Sequence, residues 1–280
     1  MGNLMKKANW LKDLPKHIPL ILLTIFTLAP LVILFFNSLK SRYNIGQDPV
    51  GFPEQILLSN YGKAWDRSQF ANHMLNSSIL VVCTVFCVLT LGGLAAYALA
   101  RIEPKGSGAV MFYLLVVSAL PIWLYMVPLF FLWRTVGLLN SFLGLIIIYT
   151  ATNSPFAIFL LRSYLLKVPK EIEESATIDG ASRMQVMMRI ILPITWTGFL
   201  TVGLVVAVGV WGEFQIALTM IQDENKMPIT TSFFSFADKF GSDWTLTSAV
   251  GIMAIIPILA LFLIFQRQFT EGLTQGSVKG

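Results

Sequence analysis

Residues 18–38 read IPLILLTIFTLAPLVILFFNS, a run without a single charged side chain. A helix needs about 20 such residues to cross the hydrocarbon core of a bilayer. Five more blocks of this kind follow, over approximately Leu75–Ala100, Ala109–Trp133, Leu138–Leu161, Ile194–Ile221 and Thr247–Phe265. The first block follows Lys6, Lys7, Lys12 and Lys16 and has no small-x-small site after a short apolar core, so it reads as a retained helix and not as a cleaved signal. The expected fold is all-α and integral to the membrane: six transmembrane helices in one domain spanning residues 1–280.

Composition agrees with that reading. Of 280 residues, 55% are hydrophobic and 12% charged, against about 25% charged in an ordinary soluble domain. The net charge of +5 does not mark a nucleic-acid partner, because the basic residues flank apolar blocks and do not alternate with aromatics. With six crossings both ends share one side, and that side carries 13 Lys and Arg against 7 on the other. Positive loops stay in the cytoplasm, so this multi-pass chain is expected to have both termini inside. The segments Leu39–Met74 and Gln222–Leu246 then face outward, with Trp65 and Trp244 at the interface, as surfaces open to a soluble partner. Cys83 and Cys87 lie four residues apart in one helix and read as packing residues.

Pro30, Pro121, Pro128, Pro155 and Pro257 each remove a backbone hydrogen bond inside a block. Two readings fit them: kinked helix packing, or the wall of a water-filled path. Gly92, Gly93, Gly198, Gly203 and Gly209 permit close helix approach.

The segment between the fourth and fifth blocks, residues 167–193, reads KVPKEIEESATIDGASRMQVMMRIILP. Pro169 suits a first helical turn, and Glu171, Glu173 and Glu174 complement the positive end of a helix dipole. Asp179-Gly180 should end that helix, since glycine readily takes the left-handed conformation of a helix terminus. A second helix is expected over Ala181–Leu192, stopped by Pro193, with Met184, Met187, Met188 and Ile191 on one face and Ser182, Gln185 and Arg189 on the other. Methionines adapt to irregular surfaces, so this knob suits either a groove on a partner protein or the lipid headgroups.

Glu174-Ser175-Ala176, three residues, Gly180, nine residues, then Ile190-x-Leu192-Pro193 resembles the EAA motif of ABC importer permeases, departing from it only by Ser175 in place of the first alanine. The resemblance implies that this cytoplasmic two-helix coupling loop inserts into an ATP-hydrolysing subunit. Glu174, Ser175, Ala176, Asp179, Gly180, Met184, Met187, Met188, Ile190, Leu192 and Pro193 would then form the contact. The run Ile178–Ser182 and the ending FTEGLTQGSVKG (residues 269–280) resemble the maltose-type, carbohydrate-transporting branch. That likeness implies a bacterial or archaeal cytoplasmic (inner) membrane, a second, homologous permease, a dimer of ATP-binding subunits, an extracytoplasmic solute-binding protein, and a tail whose Thr274, Gly276 and Lys279 contact the ATPases.

Glu213 is the one acid well inside a block, beside Trp211, while Tyr149 and Asn153 form a second polar spot. Intramembrane acids are costly and by default functional or paired, so Glu213 either lines a solute path or holds a neighbouring helix. Together these four residues offer the polar and aromatic groups that a sugar requires. The chain has no G-x-x-x-x-G-K-[ST] loop, and its two histidines, His17 and His73, have no metal-ligand spacing. No enzymatic chemistry and no bound cofactor are expected of the chain itself, with ATP and magnesium bound by the partner. The alternatives are an importer permease for a solute other than a sugar, and a secondary transporter that uses Glu213 as an ion site.

Overall fold

The computed structural model describes residues 2–239 and 243–277, with side chains for 17–237, 239 and 243–268. Among the described residues every regular element is a helix. Four are long and apolar enough to cross a membrane: His17–Leu39, Phe70–Ile102, Phe142–Leu165 and Trp244–Gln268. Two bent pairs, Ser107–Ala119 with Trp123–Thr135 and Arg183–Ile194 with Trp196–Gly212, bring the number of spans to six.

We number the helices α1 (Gly2–Leu39), α2 (Arg42–Gln47), α3 (Ser59–Arg67), α4 (Phe70–Ile102), α5 (Ser107–Ala119), α6 (Trp123–Thr135) and α7 (Phe142–Leu165). There follow α8 (Lys170–Ile178), α9 (Arg183–Ile194), α10 (Trp196–Gly212), α11 (Gln215–Met220), α12 (Ile229–Lys239) and α13 (Trp244–Ser277). The chain divides into two compact units: residues 1–70 with 233–255, and residues 71–232 with 256–280.

In the second unit α7 is the central element, packed by α4, α5, α10 and α11. Glycines set the closest approaches. A Cβ on Gly93 would stand 2.8 Å from the Phe199 ring, and one on Gly198 would stand 2.6 Å from the Tyr164 ring. Gly209, expected to serve the same purpose, has open space instead.

The spans are more broken than uninterrupted blocks suggest. In the third, Leu120 takes an extended conformation (ψ 122°) because the following Pro121 disfavours the helical one, and α5 and α6 bend by 98°. In the fifth, the helix expected over 194–221 is confined to Trp196–Gly212; it ends at Glu213 and resumes as α11. Helix α4 stays continuous through two wide turns, Val88–Gly92 and Ala98–Ile102, of the kind that bonds each N–H five residues back.

In the first unit Asn60 is the organising side chain. Its Nδ2 donates to the carbonyls of Ser38 and Lys40 at 2.9 Å each, which fixes α3 against the end of α1. The Lys40 side chain is buried and donates to the Asp48 carbonyl at 2.7 Å.

Candidate functional site

Between α7 and α10 the chain forms the expected bent pair of short helices, and local bonding accounts for its shape. Pro169 stands just before α8, with Glu171 and Glu173 in the first turn. The far end closes as a Schellman motif: Gly180 N–H donates to Thr177 O and Ala181 N–H to Ala176 O, both at 3.0 Å. This motif needs a left-handed residue after the helix, and Gly180 supplies it with φ 83°. It also brings the residue after the glycine onto the last turn, and Ala176 and Ala181 both pack against the core. The spacing of Ala176 and Gly180 is therefore the spacing of the third-last helical position and the residue beyond the cap.

Ser182 then starts α9 with a reciprocal capping box. Its N–H donates to Gln185 Oε1 at 2.8 Å, and its Oγ accepts from Gln185 N–H at 3.4 Å. Ser175, which stands where the motif has alanine, returns its hydroxyl to the Glu171 carbonyl at 2.8 Å and leaves the turn undisturbed.

Two expectations about α9 are corrected. The helix does not stop at Pro193; the bend of 78° falls at Thr195, whose N–H and Oγ both donate to Ile191 O. A wide turn over Met187–Ile191 bonds Leu192 N–H to Met187 O and carries the helix past the proline, which has no N–H of its own to place. Nor is there a single methionine face. Met187 is buried with Val186 and Ile191, whereas Met184 and Met188 point outward. The apolar arc is wide enough that one edge joins the core and the other is presented.

Of the predicted contact residues, Glu174, Ser175, Asp179, Gly180, Met184, Met188 and Pro193 are exposed. Ala176, Ile190 and Leu192 are half-buried. Ile172 and Ile178 are also exposed, the latter at 85%, so the knob displays more aliphatic surface than its methionines alone.

The knob is anchored by residues that sequence reasoning missed. Arg101, in the last turn of α4, has its Nε 2.6 Å from Glu173 Oε1, and the two side chains are only 5% and 14% exposed. The same guanidinium donates to the carbonyls of Leu165 (2.7 Å) and Val168 (2.6 Å), and Tyr97 Oη donates to Glu173 Oε2 at 3.1 Å. One arginine thus ties α4, the end of α7 and α8 together. A cation directly after an apolar block was the available signal, but it reads first as an interfacial anchor.

At the break in the fifth span, Glu213 accepts three hydrogen bonds: Tyr149 Oη at 2.7 Å, Ile216 N–H at 2.7 Å and Ala217 N–H at 3.1 Å. Its carbonyl accepts from Thr230 Oγ1 at 2.7 Å. Asn153 Nδ2 donates to the Tyr149 carbonyl at 2.8 Å. Glu213 and Tyr149 are therefore brought together, Asn153 lies one turn along α7 from Tyr149, and Trp211 is half-buried two residues before the break. The carboxylate caps the N–H groups that the break in α10 would otherwise leave unpaired. Of the tail residues, Lys279 lies outside the described residues, and Thr274 and Gly276 lie in the last turns of α13, beyond the described side chains.

Residues 67–275 match the family described as "Binding-protein-dependent transport system inner membrane component". The chain is 30% identical over 265 residues to the diacetylchitobiose uptake system permease protein NgcG of Streptomyces coelicolor, covering 94% of this chain and 88% of that one. It is 31% identical over 252 residues to the melibiose/raffinose/stachyose import permease protein MelC of Bacillus subtilis, covering 90% and 91%. Among solved structures, a bacterial ABC transporter involved in the import of the acidic polysaccharide alginate contains a chain of the same fold: TM-score 0.79, 23% identity, coverage 94% and 98%. The chain accordingly belongs to the binding-protein-dependent transport system inner membrane components, as a permease subunit of an ABC transporter.

Proposed function

We propose that this permease imports a sugar or oligosaccharide, paired with a second permease, driven by a dimer of ATP-binding subunits and supplied by an extracytoplasmic solute-binding protein. The relatives named for diacetylchitobiose and for melibiose, raffinose and stachyose support a carbohydrate cargo. A further solved alginate transporter of the same fold is in complex with a periplasmic protein that binds an alginate pentasaccharide, which supports delivery by such a partner. Nucleotide and magnesium belong to the ATP-binding subunits, and both termini of this chain lie in the cytoplasm with the knob.

The observation that carries the reading is the knob of α8 and α9. It is stiffened by a Schellman motif and a capping box and presents Ile178, Met184 and Met188 outward together with Glu174. A rigid, partly apolar projection of this kind fits a groove on another protein, and the tail residues Thr274, Gly276 and Lys279 reach the same partner. Closure of the ATPases would push the knob, and α4 and α7 would follow through Arg101. The solute path is assigned to the break in the fifth span, with Tyr149, Asn153, Trp211 and Glu213 in its wall. Irregular backbone at membrane depth is tolerated where it is buried in protein or lines a water-filled cavity.

The test is crosslinking. With Met188→Cys in the assembled complex, a short bifunctional reagent should join this chain to the ATP-binding subunit, and the yield should change when nucleotide is added. Crosslinks to lipid alone would refute the assignment.

A further inference from the structure

Within the first unit, a cavity of about 410 Å³ opens beside the short helices α2 and α3. Arg42, Asn60, Lys63, Arg67, Asp243 and Thr245 line it. Asn60, Lys63 and Arg67 follow at i, i+3 and i+7, which places them on one face of α3. Asn60 is buried and spends its Nδ2 on two backbone carbonyls, so the two cations are the charges that this face offers to a visitor.

Charge in the cavity is unbalanced. Three cations face one carboxylate, and that carboxylate is already engaged: Asp243 pairs with Arg42 and accepts from Thr245 Oγ1 at 2.6 Å and Leu246 N–H at 3.3 Å. Among the described residues Lys63 and Arg67 have no ion-pair partner. Arg42 remains 58% exposed despite its pairing, so part of its guanidinium still faces water. Two uncompensated positive charges around an open cavity select an anion, and the planar guanidinium fork suits a carboxylate.

We propose that this cavity is a socket for acidic side chains on the docking face of the solute-binding protein. The proposal rests on the importer reading above, which places residues 39–74 outside the cytoplasm. A protein surface is favoured over a free solute because the cations stand at the rim of an open cavity on two short surface helices. Two of the three cations are arginines, a residue type enriched where proteins meet. Charges at a rim act mainly on encounter and register, and they do so in a salt-dependent way.

The experiment uses the complete importer in nanodiscs and its cognate solute-binding protein, loaded with its solute. ATPase rate is followed against binding-protein concentration for the native chain, for Lys63→Glu with Arg67→Glu, and for the milder Lys63→Gln with Arg67→Gln. The expected result is a half-stimulating concentration about tenfold higher for the reversal and a few-fold higher for the glutamines, with basal and maximal rates unchanged. The salt dependence of stimulation should flatten in both. A soluble oligo-glutamate peptide should compete with the binding protein on the native importer and not on the reversed one.

Equal half-stimulating concentrations and equal salt slopes in all three would overturn the proposal. So would an effect seen only in bilayers containing phosphatidylglycerol, which would assign the cations to lipid, or one confined to transport of acidic solutes. If the loaded binding protein fails to stimulate the native importer at all, it is the underlying importer reading that fails.

Discussion

Arg101 Nε stands 2.6 Å from Glu173 Oε1 across 72 residues of chain, 173 minus 101, and the pair is largely shielded from water, with side chains 5% and 14% exposed. Removing one member of a buried pair strands the other charge, at about 3–5 kcal/mol. Arg101→Ala also unpairs two carbonyls, those of Leu165 and Val168. We expect this variant to lower the thermal stability of the complex and to reduce transport per ATP hydrolysed, because the knob is no longer fixed to α4. Arg101→Glu combined with Glu173→Arg should restore part of the pairing. Recovery of the transport-to-ATP ratio in the double variant, measured in proteoliposomes, separates mechanical coupling from simple destabilisation.

Gly180 offers a cleaner perturbation of the same knob. It has φ 83°, and a Cβ there would meet nothing within 4 Å, so a substitution costs conformation and not space. Forcing a side chain into the left-handed region costs about 1–2 kcal/mol. Gly180→Ala should therefore loosen the turn between α8 and α9 and weaken ATPase attachment severalfold. Gly180→Asn should do so less, since asparagine tolerates that conformation better. Pull-down of the ATP-binding subunit with the three chains would rank them native, asparagine, alanine.

The six apolar blocks were legible because the bilayer imposes a length and a composition that nothing else in the chain imitates. The bend at Gly180 was legible for a local reason: the glycine, the end of the preceding helix and the bonds that cap it lie within six residues, 176 to 181. What escaped was decided at a distance. Arg101 looks like any interfacial cation until Glu173 folds against it. The stop at Glu213 depends on Tyr149 and Thr230, which no window around residue 213 contains. Met187 and Met188 are neighbours with opposite fates, and only the placement of α9 against the core separates them.

Glycines in the fifth span divide by environment. A methyl on Gly198 would press into the Tyr164 ring at 2.6 Å, whereas Gly209 has free space around it. Overpacking of this kind costs about 1–3 kcal/mol. Gly198→Ala should lower the unfolding temperature of the purified chain, and Gly209→Ala should not. If Gly209→Ala is silent in the isolated chain but harmful in the assembled complex, a partner subunit approaches that face.

Asp243 gives the first unit a pH dependence. Burial raises its carboxyl pKa, but the hydrogen bonds from Arg42, Thr245 and the Leu246 amide, with the Arg42 charge, outweigh burial and hold it below the usual value. A depressed folded-state pKa means that the unfolded state takes up the proton first. The stabilisation is therefore complete above the ordinary aspartate pKa of about 3.9 and is lost as pH falls through the folded value beneath it. Hydrogen exchange at the Leu246 amide should accelerate in that acid window in the native chain. Asp243→Asn should exchange faster throughout and show no step.

Glu213 distinguishes a joint from a solute ligand. Its carboxylate takes hydrogen bonds from Tyr149 Oη and from two backbone N–H groups. In Glu213→Gln one oxygen becomes an NH₂ group that must face donors, so at least one bond is lost and a donor is left unpaired, at about 1–3 kcal/mol. Tyr149→Phe removes a single bond and leaves the backbone caps in place. If Glu213 serves only as the cap that lets the fifth span break, the glutamine variant loses stability and maximal transport rate together, and the half-saturating solute concentration stays near that of the native chain. If it also binds the solute, that concentration rises in Glu213→Gln and in Tyr149→Phe alike, because both variants alter the polar wall. Uptake kinetics in proteoliposomes, with solute concentration varied at saturating ATP, read the two quantities separately.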